Sequence, residues 1–279
     1  MSRSNAAGAK VKALRPLARR RSQRYEQGRL VIESAVVLGV ALDAGVEIER
    51  VIVELDRCSS ADSDVVRRAS RAGAEALDVH NGTLAKLVDT KSPQPVAAIA
   101  VMPQMDLAAA LDDATFVVVA LDVADPGNLG TIIRSAEAAG ADALILAGDC
   151  VDPWSPKVIR SSAGGVFLLP IAAGDTDEIL DELGQRGLQR LAADSEGGSA
   201  HDLTDLTGPV ALIVGNEAHG LPFDIDRLID DRIHIPTAGR AESLNVAMAA
   251  SILVFETARQ RRQMSRQGSA NPEHLDATL

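Results

Sequence analysis

Val210-Ala211-Leu212-Ile213-Val214-Gly215-Asn216-Glu217-Ala218-His219-Gly220-Leu221-Pro222 is a run of five apolar residues that breaks into a polar loop flanked by glycines. A short apolar run bounded by turn residues reads as a strand buried on both faces. The pattern recurs along the second half of the chain, with strands predicted at 116–121, 143–146, 165–169, 188–192, 210–214 and 232–235. Helices fit between them at 129–139, 156–162, 176–185 and 243–261. Strands alternating with helices build an α/β fold with a mostly parallel sheet, covered on both faces. Ligands of such sheets sit in loops beyond the C-terminal ends of the strands. The loop after Val214 occupies that place. Taken alone it is equally an Asn/Gly turn with Glu217 in solvent, and His219 is an ordinary loop residue.

The first hundred residues read as a smaller α/β unit. A basic helix is predicted over 14–25, a strand at 30–32, an apolar helix over 35–44 ending at Gly45, and a strand at 51–53. A helix over 62–72 ending at Gly73, a short helix near 84–88 and a strand at 96–101 complete it, the glycines acting as C-terminal stops. With 279 residues the chain has length for two cores, divided near 106–113. The expected domains are 1–108 and 109–262, with a polar tail over 263–279.

Composition narrows the function classes. Apolar residues at 46% and charged residues at 24% describe an ordinary globular protein, and aromatics at 2% are too few for base stacking to be the main grip on a nucleic acid. The net charge is −11, yet Arg3, Lys10, Lys12, Arg15, Arg19, Arg20, Arg21 and Arg24 stand in a stretch without one acidic residue, so the remainder carries −19. A basic arm binds phosphate whatever the global sign, because salt confines these fields to about 10 Å. A solubilising tail or an Arg-rich presequence fits the same residues. No segment approaches the roughly 20 apolar residues of a membrane span. Cys58 and Cys150 are isolated thiols that suit a reducing cytoplasm, and no histidine pair has metal-ligand spacing.

Two further segments carry polar residues at strand or helix ends. Asp125-Pro126-Gly127-Asn128-Leu129-Gly130-Thr131-Ile132-Ile133-Arg134 opens a helix, with Asn128 placed as its N-cap. Ile235-Pro236-Thr237 leads through Gly239 and Arg240 to Ser243-Leu244-Asn245-Val246, where Ser243 is placed as N-cap and Asn245 within the first turn. The helix that follows is apolar or small at almost every position to Phe255, so it must be covered nearly all round, and a subunit interface is the economical cover.

In this order and at these separations, Asn128-x5-Arg134, Gly215-Asn216-Glu217-x2-Gly220-Leu221, and Ile235-Pro236 with Ser243-Leu244-Asn245-Val246 resemble the three signature motifs of the SpoU/TrmH branch of the SPOUT RNA methyltransferases. The resemblance covers about 116–261 and includes Arg160-Ser161-Ser162-Ala163-Gly164-Gly165, a helix-to-strand turn. Residues 24–33 resemble the ribosomal-protein-like substrate-binding domain often fused in front, except that Ser34 stands where that domain usually has glycine. The resemblance implies a C-terminal trefoil knot, a homodimer packed through the last helix, and transfer of a methyl group from S-adenosyl-L-methionine to a ribose 2′-hydroxyl. Gly215, Ile235 and Leu244 would line the donor pocket; Arg134, Asn128, Glu217, Ser243 and Asn245 would serve catalysis. A ribose hydroxyl is a poor nucleophile, and a guanidinium keeps its proton at neutral pH, so Arg134 is assigned to charge stabilisation rather than proton abstraction. A separate basic N-terminal domain favours structured ribosomal RNA over tRNA. The rival from another class is a non-catalytic RNA-binding or ribosome-assembly factor of the same fold.

Overall fold

The computed structural model describes residues 11–88, 90, 92–195, 197–216, 221, 225–240 and 243–269. They pack into two compact units that do not follow the chain linearly. The first takes in residues up to 106 together with 124–134 and 151–170; the second takes in 107–123, 135–150 and 171 onward.

The first unit begins with α1 (Leu14–Arg19) and α2 (Arg21–Gln27), two short helices in place of the single predicted one, with extended backbone at Arg20 between them. They lead to β1 (Arg29–Ile32), α3 (Ala35–Asp43), β2 (Ile48–Val53), α4 (Ser60–Arg71), β3 (Glu75–Asp78) and β4 (Val96–Val101). The sheet order is β1-β4-β2-β3, antiparallel except for the β2–β3 pair. Val31, Ile52, Ala97 and Ile99 present one face to Leu14, Leu17, Leu84 and Leu87, all buried. Ser34, the departure from the family pattern, caps α3: its Oγ accepts the Val37 N–H at 3.1 Å. Ser59 and Asp62 form a reciprocal capping box on α4.

Across the two units run α5 (Leu107–Ala110), β5 (Phe116–Leu121), α6 (Pro126–Ala139), β6 (Ala143–Ala147), α7 (Pro156–Ser161), β7 (Ile171–Gly174), α8 (Thr176–Gln185), β8 (Gln189–Asp194), β9 (Ser199–Ala200), β10 (Val210–Val214), β11 (Asp231–His234) and α9 (Val246–Ser269). The second unit holds a parallel seven-stranded sheet in the order β7-β6-β5-β10-β8-β11-β9. Every residue of β5, β6 and β10 is buried, as continuous apolar runs require in a sheet covered twice. Val117, Val119, Ile145 and Ile213 pack with Ile179, Leu180 and Leu183 of α8.

Two expectations need correction. Residues 165–169 are not a strand: Ala163 and Gly164 both take left-handed backbone (φ 52° and 90°), the chain reverses into a 3-10 turn at Gly165–Phe167, and β7 starts only after Pro170. Residues 263–269, placed in the tail, continue α9, because Gln, Met and Arg are good helix formers; 270–279 lie outside the described residues. Within the single chain, α9 is covered on one face. Val246, Ala247, Ala250, Leu253 and Val254 are buried, while Met248, Ile252 and Phe255 form an exposed apolar stripe at i, i+4 and i+7.

Candidate functional site

The strand register of the second unit brings the motif loops to one edge. Val214 pairs with Ala120, Ile213 with Ala192, and Asp194 with His234. Gly215 therefore stands in one row with Leu121 on one side and Asp194 and His234 on the other. Ile235 leaves the sheet two strands over, roughly 10 Å away at the usual strand spacing. This edge is also the topological switch: the chain runs outward from β5 through β6 to β7, then resumes with β8 beyond β10. Side chains tie the C-terminal ends of β5 and β10 together. Asn216 Nδ2 donates to the carbonyl oxygen of Asp122 at 2.8 Å, and the Asp122 carboxylate accepts the Asp149 N–H at 2.7 Å. Asp122 holds left-handed backbone (φ 53°), and Gly148 leaves room for its carboxylate, since a Cβ there would lie 2.3 Å from Oδ1. Sequence reasoning missed Asp122; a left-handed aspartate leaves no mark in hydrophobic periodicity.

Gly215 is buried, Ile235 is half-buried, and Leu244 is 36% exposed. Ser243 and Asn245 are exposed. The N-cap of α9 is Asn245, not Ser243: Asn245 Oδ1 accepts the N–H groups of Ala247 and Met248 at 3.0 and 3.3 Å. The same departure from the expected cap occurs on α6, where Asp125 rather than Asn128 is the cap. Asp125 Oδ1 accepts from Gly127 and Asn128 at 2.7 and 2.9 Å. The Asn128 N–H, helped by that of Gly127 and by the Lys157 ammonium, holds the Asp125 carboxyl below its usual value. Asn128 is half-buried on the first turn. Arg134 is exposed, and its guanidinium has no hydrogen bond or ion pair among the described residues. Ser135, the next residue, bonds Ser251 of α9 through their hydroxyls at 2.7 Å. Glu217 lies outside the described residues. A cavity of about 610 Å³ lies at the opposite edge of the sheet, lined by Phe116, Glu137, Arg261 and Arg266 among others, and no motif residue lines it.

The basic arm is not a free tail beyond residue 10. Leu14 and Leu17 belong to the core, and Arg24 is 4% exposed. Arg24 Nε donates to Asp152 Oδ2 at 2.8 Å, Nη2 donates to the same oxygen, and Nη1 donates to the Leu17 carbonyl at 2.8 Å. Tyr25 Oη reaches Asp152 Oδ1 at 3.3 Å; burial, then the Asp152 charge, pushes its phenol up. Lys12, Arg15, Arg19, Arg20 and Arg21 keep their exposure, Arg21 lying over the Tyr25 ring at 5.3 Å. Residues 1–10 lie outside the described residues.

With this geometry established, the family model for SpoU rRNA Methylase matches residues 115–255, and that for the MRM3-like substrate binding domain matches 8–98. The chain belongs to the SpoU rRNA methylase family. It is 31% identical to the 23S rRNA (guanosine(2553)-2′-O)-methyltransferase RlmP of Bacillus subtilis, over 84% of this chain and 90% of that protein. The SpoU methyltransferase AviRb of Streptomyces viridochromogenes, solved with AdoMet, superimposes with a TM-score of 0.82 at 30% identity, covering 91% of this chain and 98% of that one. An AdoMet-bound rRNA methyltransferase of Sinorhizobium meliloti gives 0.79 at 34% identity, covering 93% and 96%. The SpoU residues fit such a donor. Gly215 puts no side chain at the end of β10, while Ile235 and Leu244 offer aliphatic surface that the chain leaves partly uncovered.

Proposed function

We propose that this protein is an S-adenosyl-L-methionine-dependent 2′-O-ribose methyltransferase of ribosomal RNA. The observation that carries the reading is Arg134, an exposed guanidinium with no hydrogen bond or ion pair among the described residues, on the helix that bears the first family motif. A charge so placed is available to an RNA phosphate or to oxygen charge developing on the ribose. Gly215, Ile235 and Leu244 hold the donor, which supplies a sulfonium methyl group when bound. Asn128, Glu217, Ser243 and Asn245 orient Arg134 and the ribose. The RlmP relative is named for 23S rRNA and the Sinorhizobium meliloti one for rRNA, which favours ribosomal RNA over tRNA.

Residues 1–108 serve RNA capture and 109–262 the methyl transfer, with the C-terminal segment drawn into the family's trefoil knot. The exposed cations Lys12, Arg15, Arg19, Arg20 and Arg21 take the phosphate backbone. The Met248–Ile252–Phe255 stripe takes the same helix of a second copy, giving a two-fold homodimer. A reducing cytoplasm suits the thiols of Cys58 and Cys150, both free; burial pushes that of Cys150 up to about 11. No described helix is long and apolar enough to cross a membrane.

Isothermal titration with S-adenosylmethionine and S-adenosylhomocysteine, followed by methyl transfer to 23S rRNA fragments, tests the assignment. One saturable site per chain and a 2′-O-methylated nucleotide are expected. A folded protein that neither binds the donor nor methylates any 23S fragment would be an assembly factor instead.

A further inference from the structure

Arg24 and Glu33 bound the stretch that resembles a substrate-binding module, yet both spend their charge inside the first unit. Arg24 is held by Asp152, and Arg160 Nη1 donates to Glu33 Oε2 at 2.6 Å. The Glu33 side chain is only 5% exposed, and Arg160 is one of the groups that compensate this buried carboxylate. Asp152 and Arg160 lie on the same segment, 151–170, which α2 and the turn after β1 thus grip at two points eight residues apart.

That segment abuts the helix carrying Arg134. The turn after α7 fits between two walls. On one side, a Cβ on Gly164 would meet the Val40 side chain at 2.9 Å, and the residue's φ of 90° is a glycine conformation. On the other, a Cβ on Gly165 would lie 3.7 Å from the Arg134 Cα and 3.6 Å from Ile133. Near the start of α6 the fit is closer still. A Cβ on Gly130 would stand 1.8 Å from Ser161 Oγ, and that hydroxyl lies 3.0 Å from the Pro126 carbonyl. The 151–170 segment thus meets α6 through the Ser161 side chain at Gly130 and through Gly165 at Ile133 and the Arg134 Cα.

We infer that Arg24 and Glu33 are positioning residues for Arg134, not RNA contacts. Through Asp152 and Arg160 they fix the segment on which residues 130–134 rest, so the module that captures RNA also sets the guanidinium that acts on it. The inference rests on the role proposed above for Arg134. Methyl transfer tolerates little displacement of an aligned group, and a misplacement near 1 Å costs on the order of a hundredfold in rate.

The test is single-turnover methylation by the full-length protein carrying Glu33→Gln, Arg160→Met or Arg160→Lys, with Arg134→Ala as control. Donor affinity is read by calorimetry, RNA affinity by filter binding, and folding by thermal melts. Glu33→Gln and Arg160→Met should slow the methyl-transfer step by roughly tenfold or more, leaving both affinities within about twofold, and Arg160→Lys should recover most of the rate. Arg160 is half-exposed, so its variants keep the test alive if Glu33→Gln fails to fold. Loss of RNA affinity at an unchanged rate would make the pair an RNA contact and overturn the inference. So would unchanged rates in all three variants while Arg134→Ala is inactive. Undiminished turnover in Arg134→Ala would instead remove Arg134 from the mechanism, a failure of the underlying role.

Discussion

Arg24 is 4% exposed, its guanidinium divided between Asp152 and a backbone carbonyl, whereas Arg134 is exposed and bonded to nothing among the described residues. Both belong to the first unit, and both fall in stretches that resemble functional motifs. A guanidinium buried in a salt bridge has given up its water and can lose little more by staying; one left in solvent retains its full capacity to bind a new anion. Residue type does not separate the structural arginine from the catalytic candidate. Burial and the presence of a partner do.

The largest expected effect breaks that comparison on its structural side. Arg24→Ala strands Asp152 in the interior and should cost about 3–5 kcal/mol in denaturant unfolding, as removal of one member of a buried pair does. A loss below about 1 kcal/mol would place Arg24 with the surface cations. Gly130→Ala comes next. In an open helix this change stabilises by about 0.5–1 kcal/mol, but here the new Cβ meets Ser161 Oγ at 1.8 Å, Ser161 Cβ at 2.7 Å and the Ser162 nitrogen at 3.0 Å. The sign should reverse to a loss of about 1–3 kcal/mol. Adding Ser161→Ala removes only the first of these contacts and should recover only part of it. A stabilised Gly130→Ala protein would mean that α6 does not rest on α7.

Legibility from sequence follows the same physics. Strands β5, β6 and β10 announced themselves because burial on both faces forces a continuous apolar run. Strand β3 did not: Glu75-Ala76-Leu77-Asp78 is a half-buried edge with no such constraint. The family motifs located Gly215, Ile235 and Leu244, and the register then set the first two along one sheet edge. Nothing local to Arg24 foretold its pairing, since Asp152 lies 128 residues away. The caps were misplaced by two or three residues because polar residues able to cap stand close together, Asp125 with Asn128 and Ser243 with Asn245, and only backbone direction chooses between them.

That choice yields a smaller, sharper prediction. Asn245→Ala should cost about 1 kcal/mol of stability, the ordinary worth of an N-cap, and Ser243→Ala close to nothing. Equal losses in melts of the two variants would return the cap to Ser243. Because Asn245 is also proposed to orient the ribose, Asn245→Asp separates its two roles: the carboxylate still accepts from Ala247 and Met248, so stability should hold while methyl transfer falls.

The smallest effect tests electrostatics on α9, away from the motif loops. Hydrogen bonds from Arg259, with a further one from Gln260, hold the Glu256 carboxyl at about 2, below its usual 4.5. A folded-state value below the unfolded one means that the unfolded chain takes up the proton first as the solution is acidified. The stabilisation is therefore complete above about pH 4.5 and is lost as the pH falls through about 2. Arg259 is 45% exposed, so solvent screens the pair and its worth is that of a weak surface ion pair on a helix. Glu256→Gln should lower the melting temperature slightly at pH 6 and match the wild type near pH 2, with the gap narrowing in high salt. A gap that stays constant across this range would show that packing around Glu256, rather than its charge, supports the helix.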